Sequence, residues 1–248
     1  VKPAERAAAY LGGDRPVQVV DCSGAPHLDL RVTVPVTDMA APPPTPSTER
    51  GGSLLSDAYQ RPDSPTETGS MWTTIAPRLL EDIRRHTSTI VFTNSRGLCE
   101  RLAQQLNELA GEQVARAHHG SVSHENRRSI EESLKAGELP CIVATSSLEL
   151  GIDMGVVELV LLVESPRSVS RGLQRIGRAG HHVGGTSRGT IYPKYRADLL
   201  EAAVITRQMQ RGEIESLSVP QNPLDVLAQQ IVAACSVAPQ STAALAGW

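Results

Sequence analysis

Apolar positions along the chain form short continuous runs that alternate with longer stretches of helical spacing. TIVFTN (89–94), VARAHH (114–119), CIVAT (141–145), VELVLLVE (157–164) and SRGTIYP (187–193) are rich in β-branched and aliphatic residues and read as strands. Between them, MWTTIAPRLLEDIRRH repeats Ile75, Leu79, Leu80 and Ile83 at helical spacing, and 96–110 sets Leu98, Leu102, Leu106 and Leu109 on one stripe. Further helices are predicted over about 123–136, 168–176 and 196–210, the first with Ser123 as N-cap. Segments 16–21 and 30–36 read as strands ahead of this array. Continuous apolar strands alternating with helices predict an α/β fold, a parallel sheet with helices on both faces.

Open sheets of this kind hold ligands beyond the carboxyl ends of their strands. CIVAT and VELVLLVE are expected to be neighbouring parallel strands. The segments after them carry Thr145, Ser146, Gly151, Asp153, Gln174, Arg175 and Arg178. Glycine lets backbone approach a phosphate, strand-end hydroxyls and amides hold one, and arginine neutralises charge on a transferring phosphoryl group.

Composition refines this picture. The chain has 248 residues and 40% hydrophobic residues, with only 3% aromatics, so its core must be built from Val, Ile, Leu and Ala. A net charge of -3 gives no global attraction to nucleic acid. The local pattern differs: 165–197 contains no Asp or Glu but includes Arg167, Arg171, Arg175, Arg178, Arg188, Lys194 and Arg196. Cys22, Cys99, Cys141 and Cys235 have neither disulfide-framework nor zinc spacing, and reduced thiols in the cytoplasm are expected. His118 with His119 lacks the partners of a metal site, so no metal ligand is assigned. No apolar run approaches bilayer length and no signal peptide is visible, so no membrane association is expected. Residues 41–69 shift to Pro, Ser, Thr and Gly, the composition of a solvated loop.

Several segments are specific enough to support a family resemblance. VATSSLELGIDMG and QRIGRAGHH resemble motifs V and VI of superfamily 2 helicases, and TIVFTNSRGLCERLAQQLNEL resembles motif IV. ARAHHGSVSHENRRSIEESLKAG resembles the adjoining nucleic-acid-contacting segment. The wording FTNSR, HHGSVS, SLELGIDMG and QRIGRAGH is most similar to the large helicase-related (Lhr) family. The chain has only Lys2, Lys135 and Lys194, none in a Gly-Lys-Ser/Thr setting, and no Asp-Glu pair. The resemblance therefore implies the second RecA-like motor domain of a larger helicase, with ATP and Mg2+ held mainly by the first motor domain.

It also implies an organisation and a set of roles. Residues 1–40 would lead from the first motor domain, 41–70 would be the loop, 71–211 the helicase C-terminal domain, and 212–248 the opening of a winged-helix domain. Arg178 is expected to be the arginine finger on the γ-phosphate, with Arg175 beside it and Gln174 sensing that group. Gly151 and Asp153 would meet the nucleotide sugar. Arg96, His119, Gly120, Ser121, Thr145 and Ser146 would grip a single strand by its backbone. Many relatives have arginine where this chain has His181, which puts a second finger in question. The implied parent is a 3′-to-5′ DNA helicase acting on single-stranded DNA and on RNA–DNA hybrids in repair. An RNA helicase motor and a non-catalytic nucleic-acid-binding module remain open alternatives at this point.

Overall fold

The computed structural model describes residues 2–13, 15–20, 27–43, 71–150, 155–180 and 185–247. These divide into two compact units, 22–215 and the combination of 1–21 with 216–248.

The larger unit is built on six parallel strands: β1 (His27–Val32), β2 (Thr89–Phe92), β3 (Ala115–His118), β4 (Cys141–Ala144), β5 (Leu159–Val163) and β6 (Thr186–Tyr192). Their spatial order is β1-β6-β5-β2-β4-β3. All five pairings are parallel. The expectation that CIVAT and VELVLLVE would be neighbours is corrected here. β2 lies between them, with Phe92 level with Ala144 on one side and Leu162 on the other. The chain leaves β2 toward β3 and β4, then crosses to β5 and β6 on the other side. Such reversal of winding opens a crevice at the carboxyl edge, between the segments that follow the central strands.

Alternation along each strand sends side chains to two separate cores. Val91, Val143 and Leu161 face α2 (Trp72–Arg84) and α3 (Arg96–Ala110), meeting Trp72, Ile75, Leu79, Leu98, Leu102 and Leu106. Ile90, Phe92, Ile142, Val160 and Leu162 face the other way. They meet α4 (His124–Lys135), α5 (Val169–Ile176) and α6 (Arg196–Arg211) through Ile130, Leu134, Val169, Ile176, Ile205 and Met209. Cys99 and Cys141 are fully buried, as expected of small hydrophobes.

Helix boundaries follow local chemistry. Ser95, Ser123 and Ser168 each accept a hydrogen bond from the backbone N–H three residues on, so all three are working N-caps. Gly111 ends α3 in the left-handed conformation, with φ 74°. The expected strand at 30–36 instead ends at Val32, because Pro35 has no N–H to extend the ladder. Residues 16–20 form no strand either. No neighbouring strand pairs with them among the described residues, and Val17, Val19 and Val20 stay exposed.

In the smaller unit, α1 (Ala4–Gly12) is an element the sequence pattern did not suggest. Leu217 N donates to Lys2 O at 2.8 Å, and Arg6 donates to Leu217 O at 2.8 Å. α7 (Leu224–Val237) and the short α8 (Thr242–Ala246) complete it, with no buried residue on α7. No helix among the described residues is long and apolar enough to cross a membrane.

Candidate nucleic-acid and nucleotide sites

Parallel register decides which residues reach the carboxyl edge together. His118, Ala144 and Phe92 lie level across β3, β4 and β2, so the chain leaves all three strands at the same height. The ladder runs one step further, from Thr93 N to Ala144 O at 2.8 Å and from Thr145 N to His118 O at 3.3 Å. Thr93, Thr145 and His119 therefore begin three adjacent turns about 5 Å apart.

Arg96 opens α3 after the β2 turn and reaches across to the β3 turn, where its Nη1 donates to Ser121 Oγ at 2.7 Å. Gly120 lies beside the same guanidinium, since a Cβ there would stand 3.9 Å from Arg96 Nη2. Arg96, Gly120 and Ser121 are thus one exposed cluster. Thr145 leads into a single 3-10 turn, Ser146–Leu148.

His119 differs from the expectation of a direct strand contact. Its ring is buried: Nδ1 accepts from Ser121 N at 3.2 Å and Nε2 lies 2.6 Å from Glu100. That fixes the proton on Nε2 and leaves the ring as a brace for the turn. His118 is likewise interior, between Ser147 at 2.8 Å and Glu131 at 2.9 Å. Burial lowers its pKa below the ordinary imidazole value, against the pull of Glu131. No group of three or more metal-ligating side chains occurs among the described residues.

Arg175 requires a second correction. It is 3% exposed, and its guanidinium points inward rather than toward a ligand. Nε donates to Glu149 at 2.7 Å, Nη2 lies 2.6 Å from the same carboxylate, and Nη1 donates to Asn94 at 3.1 Å. The ring of Phe92 lies 5.3 Å away. Desolvation lowers the Arg175 pKa, opposed by the bond to Glu149, and an arginine so placed stays charged. This buried pair joins three segments: the β2 turn through Asn94, the segment after β4 through Glu149, and α5. Neither Asn94 nor Glu149 was singled out from the sequence. The available signal was an acidic residue set among apolar ones in SSLELG and an amide directly after an apolar strand.

Gln174 and Arg178 occupy a different place from the strand-end turns. Gln174 is exposed on α5, and Arg178 is partly exposed on the turn after it, with Nε donating to Gln174 O at 3.4 Å. Ala179 bridges to Val157, ahead of the amino end of β5. The helix has therefore carried Arg178 away from the carboxyl edge. Gln174 and Arg178 therefore stand apart from the strand-end turns, whereas Arg175 of the same segment is bonded among them. Gly151, Asp153, His181 and His182 lie outside the described residues, as do 44–70.

The long basic segment also divides. Arg175 pairs with Glu149, Lys194 with Glu164 at 2.6 Å, and Arg196 with Asp38 at 3.1 Å. Its seven cations do not form one solvated face.

Residues 73–182 match the helicase conserved C-terminal domain, and 207–246 match the winged helix domain of large helicase-related protein. The chain is 46% identical to the Lhr helicase/uracil glycosylase of Escherichia coli (strain K12), over 96% of its own length and 17% of that protein. The chain belongs to the large helicase-related family. An ATP-dependent helicase Lhr-Core from Saccharolobus solfataricus is 37% identical across 96% of the Lhr chain described here and 25% of its own length. The structure of Mycobacterium smegmatis helicase Lhr bound to ssDNA and AMP-PNP superposes with a TM-score of 0.84 at 46% identity. That superposition covers 99% of this chain and 30% of the other. The DUF1998 helicase MrfA, bound to DNA and AMPPNP, shares the fold with a TM-score of 0.60. The sheet thus has the RecA-like fold that the family resemblance implied, followed by Lhr winged-helix sequence. The chain spans only about a sixth to a quarter of the curated relatives named here.

Proposed function

We propose that this chain is the second motor domain of an ATP-dependent, 3′-to-5′ DNA helicase and translocase that works on single-stranded DNA and RNA–DNA hybrids in DNA repair in the cytoplasm. One observation carries the reading: in a chain of the Lhr family, Arg96, Gly120, Ser121, Thr145 and Ser146 share the carboxyl edge, while Gln174 and Arg178 lie one helix away. In this reading ATP with Mg2+ is held mainly by the first RecA-like domain of the same protein. Gly151 and Asp153 meet the nucleotide sugar.

The carboxyl edge offers exposed donors and a close backbone approach, which suits the phosphates of a strand and is blind to base sequence. Arg178 stabilises charge developing on the γ-phosphoryl group, and Gln174 registers its presence. A planar guanidinium suits that role better than an ammonium. Arg175 acts as a positioning residue. Its bonds to Glu149 and Asn94 tie α5 to the strand-gripping turns, so a shift of α5 on closure of the two motor domains reaches those turns directly. Repeated closure and opening then advances the grip along the strand. By itself the chain lacks the phosphate-cradling residues of a P-loop and is expected to be inactive.

The test is single-strand-dependent ATP hydrolysis by the full-length protein, wild type beside Arg178→Ala. An arginine finger contributes about 10³–10⁵ in turnover. The variant should lose turnover on roughly that scale while retaining single-strand binding. Wild-type protein with no ATPase on any nucleic acid would refute the motor reading.

A further inference from the structure

We infer that Arg167 and Arg171, with the hydroxyls of Thr145 and Ser146, form a further phosphodiester subsite on the strand track. The inference rests on the reading above of the carboxyl edge as that track. A small cavity of about 120 Å³ opens there, lined by Thr93, Asn94, Thr145, Ser146, Glu149, Arg167, Arg171 and Arg175. At roughly 30 Å³ per water this is space for about four waters, enough to take one phosphate group.

The charge around the cavity is unbalanced. Three arginines face one carboxylate, and Arg175 already engages Glu149 through two nitrogens. Asn94 is also committed, donating to Glu164 and to Ser165 O while accepting from Arg175. Arg167 and Arg171 are exposed, and among the described residues neither has a carboxylate within ion-pair distance. The hydroxyls of Thr145 and Ser146 likewise make no hydrogen bond among the described residues. What remains for a ligand is a set of donors carrying two positive charges, the complement of a tetrahedral oxyanion.

Arg167 is held in place at a cost. It has φ 66°, in the left-handed region, and Glu164 ahead of it has φ 73°. The turn is secured by the Lys194–Glu164 ion pair, by Ser165 N donating to Asp198 at 2.8 Å, and by Arg167 N donating to Ser165 Oγ at 3.2 Å. The N-terminus of α5 is not the source of attraction. Ser168 caps it, and the Glu215 carboxylate accepts from Val169 N and Ser170 N. The guanidiniums themselves are the attracting groups. The occupant is a strand phosphate because the cavity shares Thr145 and Ser146 with the neighbouring grip of Arg96, Gly120 and Ser121.

The experiment measures single-stranded DNA affinity of the full-length protein against KCl concentration, on oligo(dT) and oligo(dA). It compares wild type, Arg167→Ala/Arg171→Ala, Arg167→Lys/Arg171→Lys and Arg96→Ala. Each lost phosphate contact lowers the salt slope by about 0.7. The double alanine variant should therefore lose up to about 1.4 of slope and bind about tenfold more weakly on both sequences. The lysine pair should keep the slope, which also shows that the turn still folds. A normal slope and affinity in the double alanine variant, with Arg96→Ala weakened, would overturn the subsite and leave the strand track standing. The same result accompanied by lost ATPase would overturn it in favour of a protein carboxylate from another domain. If Arg96→Ala also binds normally, the strand track fails along with the subsite.

Discussion

Glu149→Ala tests the buried node that joins the two sites. In the native fold the Glu149 carboxylate is the sole acidic partner of Arg175 among the described residues, and the two side chains are 9% and 4% exposed. Removing it leaves a mostly buried guanidinium with only Asn94, the face of Phe92 and the small adjoining cavity for compensation. Breaking one side of a buried pair typically costs about 3–5 kcal/mol, because the remaining charge keeps its desolvation penalty. For a unit of this size each kcal/mol lowers Tm by about 2–4 °C, so the expected fall is roughly 6–20 °C. Trp72, which opens α2 and is 2% exposed in the core that α2 and α3 form on one sheet face, provides a fluorescence probe for urea or thermal unfolding of that unit. Replacing both partners, as Glu149→Leu/Arg175→Met, should recover most of the loss because no uncompensated charge remains. A Glu149→Ala cost below about 1 kcal/mol, the scale of an exposed pair, would show that the pair is not desolvated and refute the argument. Recovered stability with single-strand stimulation of ATPase still absent would identify the pair as the link between sites.

Two further outcomes follow from the same structure. Gly180→Ala should destabilise the fold by roughly 1–3 kcal/mol and disturb the Arg178 turn, as measured by denaturation and ATPase together, because Gly180 has φ 66° and a Cβ would fall 2.5 Å from Thr186 O; a neutral result would contradict that turn geometry. His118 is fully buried with a lowered pKa, so the unfolded chain takes up its proton first as pH falls through about 6.5. Stability should accordingly rise with pH up to that value and be lost below it, and His118→Asn should show a shallower slope in Tm against pH from 5 to 7.

Much of the fold was legible because its signals are local. Apolar runs bounded by polar turns marked β2 to β6, leucine spacing marked α3, and Ser123, the one N-cap expected, caps α4 in the structure. The residues of the candidate sites were legible as motifs for a similar reason: Arg96, Thr145 and Arg178 belong to short contiguous words. The faces those residues present were a different matter. Arg175 and Arg178 stand three residues apart in one motif, yet one is sealed against Glu149 and the other ends on an outer turn. Nothing in QRIGRAGH distinguishes them.

The sequence by itself determined the alternation of strand and helix, the two-sided burial of the strands and the membership of the motifs. Each of these depends on residue type and spacing within a few turns of chain. Tertiary structure alone decided that β2 separates β4 from β5, that the His119 ring is buried against Glu100 and Ser121, and that Arg175, Lys194 and Arg196 of the basic segment are paired. Those outcomes depend on partners far along the chain, Glu149 for Arg175, Glu164 for Lys194 and Asp38 for Arg196. A side chain's role is set by the charge, hydrogen-bond and solvent environment around it, and that environment exists only once distant segments have been brought together.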